Sequence, residues 1–587
     1  MDAPLTTPVA VVGGGPVGLM LALLLDRQHV PCVVLNSQQD VPDQPRGSTH
    51  NARTMEHYRT LGLAERIRGL GLPAGHSAGI SFFTRYHAHR LALLPWPGSG
   101  EVLRRRAAAD RTDPSPEPMH RANQMYVERL LLDHARTRPR ITLRYGWTAT
   151  ALRESAEHVD VVAERDGARR TFRAAFVAGC DGGHSLVRRH LGIRYEGEGT
   201  LDQDILGRRS TAAHLRVPTL YRDFLHDSGA WSNWVVNADL ALNLIALNGV
   251  DEFFLLTSSV DPDTATPGEL VRLVRRAAGE PLPVEVLSHR PWTAGAALVA
   301  ESFGRGRIRL AGDAAHLFTP NGGFGMNTGV DDAANLAWKL AAAVQGWAGP
   351  GLLDTYGSER RPIALRNTSA ARTLGQGLGA VDRPAWLEAD SAAGEAARAR
   401  TGAELAEYGT RTLDTLGVQL GARYDGSPLV AGDGTGALPD SFAAYAPCAV
   451  PGGRAPHLWL DDRRTDGSSL FDRFGPGFTL LRLGPRPPRT GRIEAAARAR
   501  GVPLRVLALD DPLARELYER ALVLIRPDQY VAWRADREPD DPGALWAQVT
   551  GGPHERAAGP SPVTGRGRWR SGAIQVPAPG PTKPEQR

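Results

Sequence analysis

Short, wholly apolar runs alternate with glycine-rich turns at the start of the chain. Residues 8–12, Pro-Val-Ala-Val-Val, have the length and composition of a buried strand. Gly13-Gly14-Gly15-Pro16-Val17-Gly18 follows, then the apolar helical stretch Leu19 to Leu25, then a second apolar strand, Cys32 to Leu35. Strand, glycine turn, helix and strand within about 30 residues is the setting that turns a bare G-x-G-x-x-G into a dinucleotide fingerprint. Gly13 permits the tight turn, Gly15 lets the backbone approach a pyrophosphate, and Gly18 lets helix and strand pack closely. The N-terminus of the helix that starts at Pro16 and Val17 offers the free N–H groups of its first turn, Pro16 having none, and a positive dipole to the phosphates. The second strand should end in an acid for the ribose hydroxyls; here it ends in Asn36, which donates and accepts but carries no charge.

Two later stretches repeat the theme of an apolar strand running into a carboxylate beside glycine. One ends at Asp181-Gly182, with a helix expected from Ser185. The other, Ile308 to Ala311, ends at Gly312-Asp313 and leads through the Gly-rich loop Asn321 to Gly329 into a helix over about 330–340. A carboxylate at a strand end suits a sugar or ribityl hydroxyl, and a Gly-rich loop before a helix suits a ligand that reaches the backbone. Trp231 to Asn237, Leu240 to Leu247 and Glu252 to Thr257 alternate and carry aromatics, as strands do. Residues 350–400 read as helical, a Gly- and Asp-rich linker follows, and Phe478 to Leu481 is a strand of a further folded part.

Length and composition narrow the class. The chain has 587 residues, which argues for several domains; 42% are hydrophobic and 23% charged, an ordinary globular balance. No uncharged apolar stretch is long enough for a membrane span. The first residues lack a basic cluster, so a soluble, cytoplasmic protein without a signal peptide is expected. The formal charge of +5 sets 69 basic against 64 acidic residues, which gives nucleic-acid binding little support. The basic residues are arginines apart from Lys339 and Lys583, a bias that, with the Ala and Gly excess, matches a GC-rich genome. Cys32, Cys180 and Cys448 are widely spaced and form no C-x-x-C, so neither a disulfide framework nor a metal site is indicated.

Taken in order, the fingerprint at 13–18, Asp181-Gly182 and Gly312-Asp313 resemble the flavin-dependent aromatic hydroxylases, single-component FAD monooxygenases related to p-hydroxybenzoate and phenol hydroxylases. The segment from Pro45-Arg46-Gly47 to Arg53-Thr54-Met55-Glu56 looks like that family's flavin-contacting arginine segment. Gln124 looks like the glutamine its members place against the flavin. The family loop Pro-Pro-x-Gly-Gly-Gln-Gly-Met-Asn reads here Thr319-Pro320-Asn321-Gly322-Gly323-Phe324-Gly325-Met326-Asn327. The resemblance runs over residues 8–350 and more weakly beyond.

The resemblance implies an α/β fold: a Rossmann-like FAD-binding domain (1–75, 106–195, 286–400), an inserted β-sheet substrate domain (76–105, 196–285) and a thioredoxin-like domain (440–550); composition adds a linker (401–439) and a disordered tail (551–587) rich in Gly, Pro, Ser and Arg. It implies noncovalent FAD held by Gly13, Gly15, Pro16, Val17, Gly18, Asn36, Arg46, Gln124, Asp181, Gly312, Asp313, Pro320, Gly322, Gly323, Gly325, Met326 and Asn327. NADPH or NADH and O2 are the expected cosubstrates, with a flavin C4a-hydroperoxide hydroxylating a phenolic or polycyclic aromatic, polyketide-type compound, as in antibiotic biosynthesis. Arg53 either contacts flavin or salt-bridges within its helix, and His316 orients local structure. Tyr86, Tyr221, His226, Trp231, Trp234 and Trp292 are the candidates for contact with substrate; no catalytic base is assigned. A monomer or homodimer is expected. Baeyer–Villiger insertion or epoxidation by the same machinery, or a non-catalytic FAD-binding protein, are the alternatives.

Overall fold

The computed structural model describes residues 4–108, 110–199, 209–226, 229–293, 296–436, 438–461 and 467–552. The tail expected over 551–587 lies outside the described residues from 553 onward.

Three elements found the first domain: β1 (Leu5–Val12), α1 (Pro16–Arg27) and β2 (Cys32–Asn36). β1 is the centre of a parallel core, flanked on one side by β2 and then Ile141–Tyr145, and on the other by Ala168–Gly179 and then Ile308–Leu310. A strand covered on both faces has no solvent side, which is why Val9 to Val12 are uniformly apolar and buried. α1 is apolar all round for the same reason: it is sandwiched between this sheet and the long helix Phe324–Gln345. The close approach needs small residues. A Cβ on Gly329 would press on Val17 and on the Cα of Gly312.

The second sheet has seven strands in the order Glu285–Thr293, Arg209–Arg216, Glu252–Thr257, Ala241–Ala246, Ser232–Val236, Ile80–Phe83, Arg90–Leu94. The two chain segments meet where Ser232–Val236 pairs in parallel with Ile80–Phe83. One face packs against the helix Pro267–Ala278, with Phe83, Tyr86, Leu244 and Phe253 among the buried side chains. The opposite face, with Ile80, Phe82, Trp234, Phe254 and Leu256, turns toward the helices Thr355–Gly379 and Ala392–Leu413.

Two boundaries read from the sequence move. Residues 286–293 belong to the second sheet, paired with Arg209–Arg216, rather than to the first domain. The stretch 401–439 is not simply a linker: it contains the end of the helix Ala392–Leu413 and the helix Leu416–Leu420. Ala397, Thr401, Leu405 and Tyr408 recur at helical spacing and are the buried face.

The C-terminal sheet runs Leu504–Leu509, Phe478–Leu483, Leu522–Ile525, Val531–Ala535, with the first pair parallel and the others antiparallel, the thioredoxin-like order. It docks through aromatics and through charge. Phe478 meets Trp338 of the long helix edge-on, with ring centroids 5.9 Å apart. Beside them the fully buried Glu359 carboxylate accepts from Lys339 Nζ (2.7 Å), Asn335 Nδ2 (2.8 Å) and both terminal nitrogens of Arg526 (2.6 and 2.8 Å). Among the described residues no helix is long and apolar enough to cross a membrane.

Candidate active site

Two cavities meet at Arg46 and His184, which line both. The first, about 410 Å³, opens over the glycine turn and is lined by Gly13, Gly14, Gly15, Asn36, Glu128 and Asp181 among others. The second, about 580 Å³, lies between the second sheet and the Gly-rich loop.

The glycine turn divides its labour. Gly13 sits at φ +108, where a Cβ would overlap the Cys180 carbonyl, and a Cβ on Gly18 would overlap the Gly13 carbonyl. Both are therefore required by packing. Gly15, the N-cap of α1, is different: a Cβ there would meet no protein atom within 4 Å. The space in front of the helix N-terminus is kept open for something other than protein, as a pyrophosphate requires. Asn36 Oδ1 accepts the Gly14 N–H (3.1 Å) and Tyr145 donates to the Gly14 carbonyl (2.7 Å), so both sides of the turn are braced.

Asp181 lines this cavity, yet its oxygens already accept from Ser185 Oγ and the Val187 N–H, which starts the next helix. Burial holds its carboxyl above the usual range. Gln124 is buried and donates to Glu128, and it is Glu128 that faces the cavity. Asn123 pins the arginine loop, accepting the Arg46 N–H (3.3 Å) and donating to the Arg46 carbonyl (2.9 Å). The Arg46 side chain is left exposed where the two cavities join.

Asp313 lines the second cavity and is exposed to its open space. Desolvation holds its carboxyl above the ordinary value, with His316 and Arg46 pulling it back. Its carboxylate has no hydrogen-bond partner among the described residues, although its carbonyl accepts from Tyr195. The turn that presents it is held by Asp332, which accepts the Gly312 N–H (3.2 Å) and His316 Nε2 (2.6 Å) and is itself paired with Arg360 (2.8 Å). His316 thus acts on the turn through Asp332. Arg53 has no place in the cavity. It is locked to Glu56, Asp331, Gln529 and the Asp528 carbonyl, tying the first domain to the last.

The Gly-rich loop forms the cavity's other wall. Pro320, Gly322 and Gly323 line it, and both glycines adopt left-handed φ (+76 and +68). Gly325 and Met326 lie in the first turn of the helix behind them. Asn327 secures the loop, donating to the Thr49 and Gly323 carbonyls and accepting the Asn51 N–H.

Trp231, Trp234 and Trp292 line the cavity from the sheet. Tyr86, Tyr221 and His226 do not. Tyr86 is in the core on the opposite face, donating to the Asn233 carbonyl (3.0 Å). Tyr221 packs on Phe253 and donates to the Ala230 carbonyl (2.9 Å). His226 is exposed at φ +43. The sequence showed which residues were aromatic or polar, but not which sheet face each would take. It also missed Arg121, Tyr408, Thr412, Thr415 and Gln419, all lining the cavity. The last four come from the stretch read as a linker.

The residues present fit FAD: an open helix N-terminus for the pyrophosphate, an unpartnered carboxylate for ribityl hydroxyls, and a glycine loop along the cavity wall whose left-handed turn packs tightly on Phe324 and Thr49. Asp313→Asn is expected to weaken FAD binding about 10- to 100-fold, since a hydrogen bond to a charged group contributes about 1.5–3 kcal/mol. Titration of apoprotein with FAD by fluorescence measures it, and an unchanged affinity would remove Asp313 from the site.

Comparison with known proteins agrees with this geometry. Residues 6–371 match the family model of an FAD binding domain, and residues 449–553 match the aromatic-ring hydroxylase C-terminal model. The chain is 33% identical to the FAD-dependent monooxygenase apdD of Emericella nidulans, covering 92% of this chain and 90% of that one. It is 31% identical to the tetracenomycin B2 monooxygenase-dioxygenase of Streptomyces olivaceus, covering 92% and 97%. Among solved structures, RebC soaked with chromopyrrolic acid and holding 7-carboxy-K252c aligns with a TM-score of 0.82 at 35% identity, covering 94% of this chain and all of that one.

Proposed function

The chain belongs to the FAD-binding aromatic-ring hydroxylases, and from that membership we propose that it is an NAD(P)H-consuming monooxygenase acting on a polycyclic, polyketide-type aromatic compound. That it is an FAD-dependent monooxygenase follows from the family. The substrate class and the electron donor are the added reading. The observation that carries it is the meeting of two cavities at Arg46: one over a glycine turn shaped for a dinucleotide, the other walled by three tryptophans and a glycine loop.

FAD, when bound, supplies the passage of two electrons from NAD(P)H to O2 and the transfer of one oxygen atom to the substrate. The chain supplies position and environment. Gly15 and the N-terminus of α1 bind the pyrophosphate, Asp313 the ribityl hydroxyls, and Gly322 and Gly323 admit the flavin ring. Trp231, Trp234 and Trp292, with Ile80, Phe254 and Leu256, receive a flat apolar substrate and displace water from the reacting face. Tyr408, whose hydroxyl meets Asn321 Nδ2 at 3.1 Å, closes the wall opposite the sheet and ties the helix Ala392–Leu413 to the glycine loop.

The test is the absorption spectrum of the purified protein, followed by NADPH and NADH oxidation with phenols, naphthoquinones and anthracyclinones. Flavin bands with oxidation stimulated by polycyclic compounds, and a product heavier by one oxygen, are expected. Flavin bands without stimulation by any aromatic would overturn the substrate reading.

A further inference from the structure

We propose that Arg121, stacked on Trp231, is the anion-binding residue of the aromatic cavity, and that the substrate presents to it a negatively charged oxygen, a carboxylate or an ionised phenol or enol. This rests on the aromatic-substrate reading above and adds the charge of the compound to it.

The other buried arginines of the described residues set the contrast. Arg53, Arg59, Arg68, Arg309, Arg360, Arg454, Arg526 and Arg534 are buried, and each is paired with a carboxylate. That is what burying a guanidinium demands, because its charge loses water and must regain an opposite charge. Arg121 is 6% exposed and has no such pair among the described residues. Its Nη1 donates to the Thr49 hydroxyl, and its Nε is buried with no partner at all. Its guanidinium lies 3.7 Å from the centroid of the Trp231 ring, a contact that stabilises the cation without neutralising it. Burial pushes the guanidinium down to about 9, with no carboxylate opposing the shift.

The position says what the missing partner is. Arg121 lines the aromatic cavity and not the cavity over the glycine turn, so the cofactor's phosphates are not its partner. Trp231, its stacking platform, lines the cavity from the sheet, and Thr49, its hydrogen-bond acceptor, lies against Gly323 of the glycine loop. The guanidinium therefore stands between the sheet and the loop, where the substrate would lie. The surroundings have the same sign. Arg46 and Arg290 line this cavity too, burial and Arg46 both lowering Arg290, while the carboxylate among the lining residues is Asp313, which serves the cofactor in the reading above. With Nη1 on Thr49 and Nε buried, Nη2 is the remaining guanidinium nitrogen, without a hydrogen bond to the described residues, a charge-assisted donor for an anionic oxygen. The stacked tryptophan fixes the plane of the guanidinium beforehand, so binding orders little.

Holoenzyme binding of two flat probes that differ only in charge tests this: anthraquinone-2-carboxylate and anthraquinone-2-carboxamide at pH 7, followed by perturbation of the flavin absorption bands. The parent is expected to bind the acid about tenfold or more tightly than the amide, the gain of a charge-assisted hydrogen bond. Arg121→Gln is expected to lose most of that preference through weaker binding of the acid, with the amide affinity nearly unchanged and the flavin bands retained. Arg121→Lys, which keeps charge but not the planar, tryptophan-stacked guanidinium, is expected to fall between the two. Equal binding of acid and amide by the parent overturns the proposal, and this outcome does not depend on any variant folding. A preference that survives Arg121→Gln also overturns it, as does loss of flavin from that variant, which would assign Arg121 to the cofactor. If neither probe perturbs the flavin, the proposal fails. Stimulation of NADPH oxidation by neutral anthraquinones then shows whether the aromatic monooxygenase reading stands without it.

Discussion

A Gly15→Val protein is expected to fold like the parent and to purify without flavin. At Gly15 the backbone is extended (φ −74, ψ −173), a conformation that valine adopts freely, and a Cβ there meets no protein atom within 4 Å. Loss of a glycine N-cap costs the helix about 1 kcal/mol or less. The isopropyl group would stand where the pyrophosphate must approach the N-terminus of α1, and FAD affinity is expected to fall at least about 100-fold, near 2.7 kcal/mol. Because bound ligand stabilises whatever binds it, the melting comparison must set apo variant against apo parent. Gly18→Ala is the opposite control. Its Cβ would overlap the Gly13 carbonyl, so it is expected to lower the melting temperature of the apoprotein as well as flavin content. If Gly15→Val retains full flavin, the phosphates do not sit at this turn. If it unfolds, the open space is not real.

The contrast between these two glycines shows what can be read from one chain. The turn was legible because its requirement is local: a strand, three glycines and a helix within thirty residues define it, and the pattern differs from any ordinary loop. The place of Asp313 on the cavity wall was legible for the same reason, a carboxylate set just past a strand end beside Gly312. Where a role depends on what a distant segment brings, the sequence gives only candidates. Arg53 reads equally as a flavin contact or a helix salt bridge; the salt bridge to Glu56 forms, but its other partners Asp331, Gln529 and Asp528 lie more than 270 positions away. Tyr86 and Trp234 are both aromatic residues of the second sheet's surroundings, yet one faces Pro267–Ala278 and the other the cavity. Arg121 and Trp231 meet only because the short strand His120–Arg121 pairs with Thr49–His50 beneath the sheet. Tyr408 carried a usable signal, the helical spacing of Ala397, Thr401, Leu405 and Tyr408, hidden by glycines and charges that read as a linker.

Glu359→Ala is expected to be the most destabilising single change outside the core, at about 3–5 kcal/mol, the usual cost of removing one partner from a buried ion cluster. Glu359 joins the long helix, through Lys339 and Asn335, to Arg526 of the C-terminal domain, with every charged group fully buried. Burial alone would push its carboxyl up; Arg526 and Lys339 overcome that and hold it well below the usual range. A depressed carboxyl contributes stability above its unfolded pKa of about 4.3 and loses it as pH falls further, so the cluster is intact at neutral pH. Lys339 runs the other way. Burial holds it down to about 8 despite Glu359 beside it, so the fold disfavours the ammonium and becomes more stable as pH rises from 8 toward the free value near 10.4. Without Glu359 that penalty grows, and the deficit of Glu359→Ala is expected to shrink between pH 7 and pH 9.5 as Lys339 loses its proton. Arg526 keeps Asp528 as a partner at 2.7 Å, so the lysine is the group left uncompensated. The double variant Glu359→Leu with Lys339→Met should therefore recover most of the loss, because it removes both charges and fills the space with apolar atoms. Thermal melts of the three apoproteins at both pH values decide it. A deficit that is independent of pH, or a double variant no better than Glu359→Ala, would mean that the cluster matters for its packing and not for its charge.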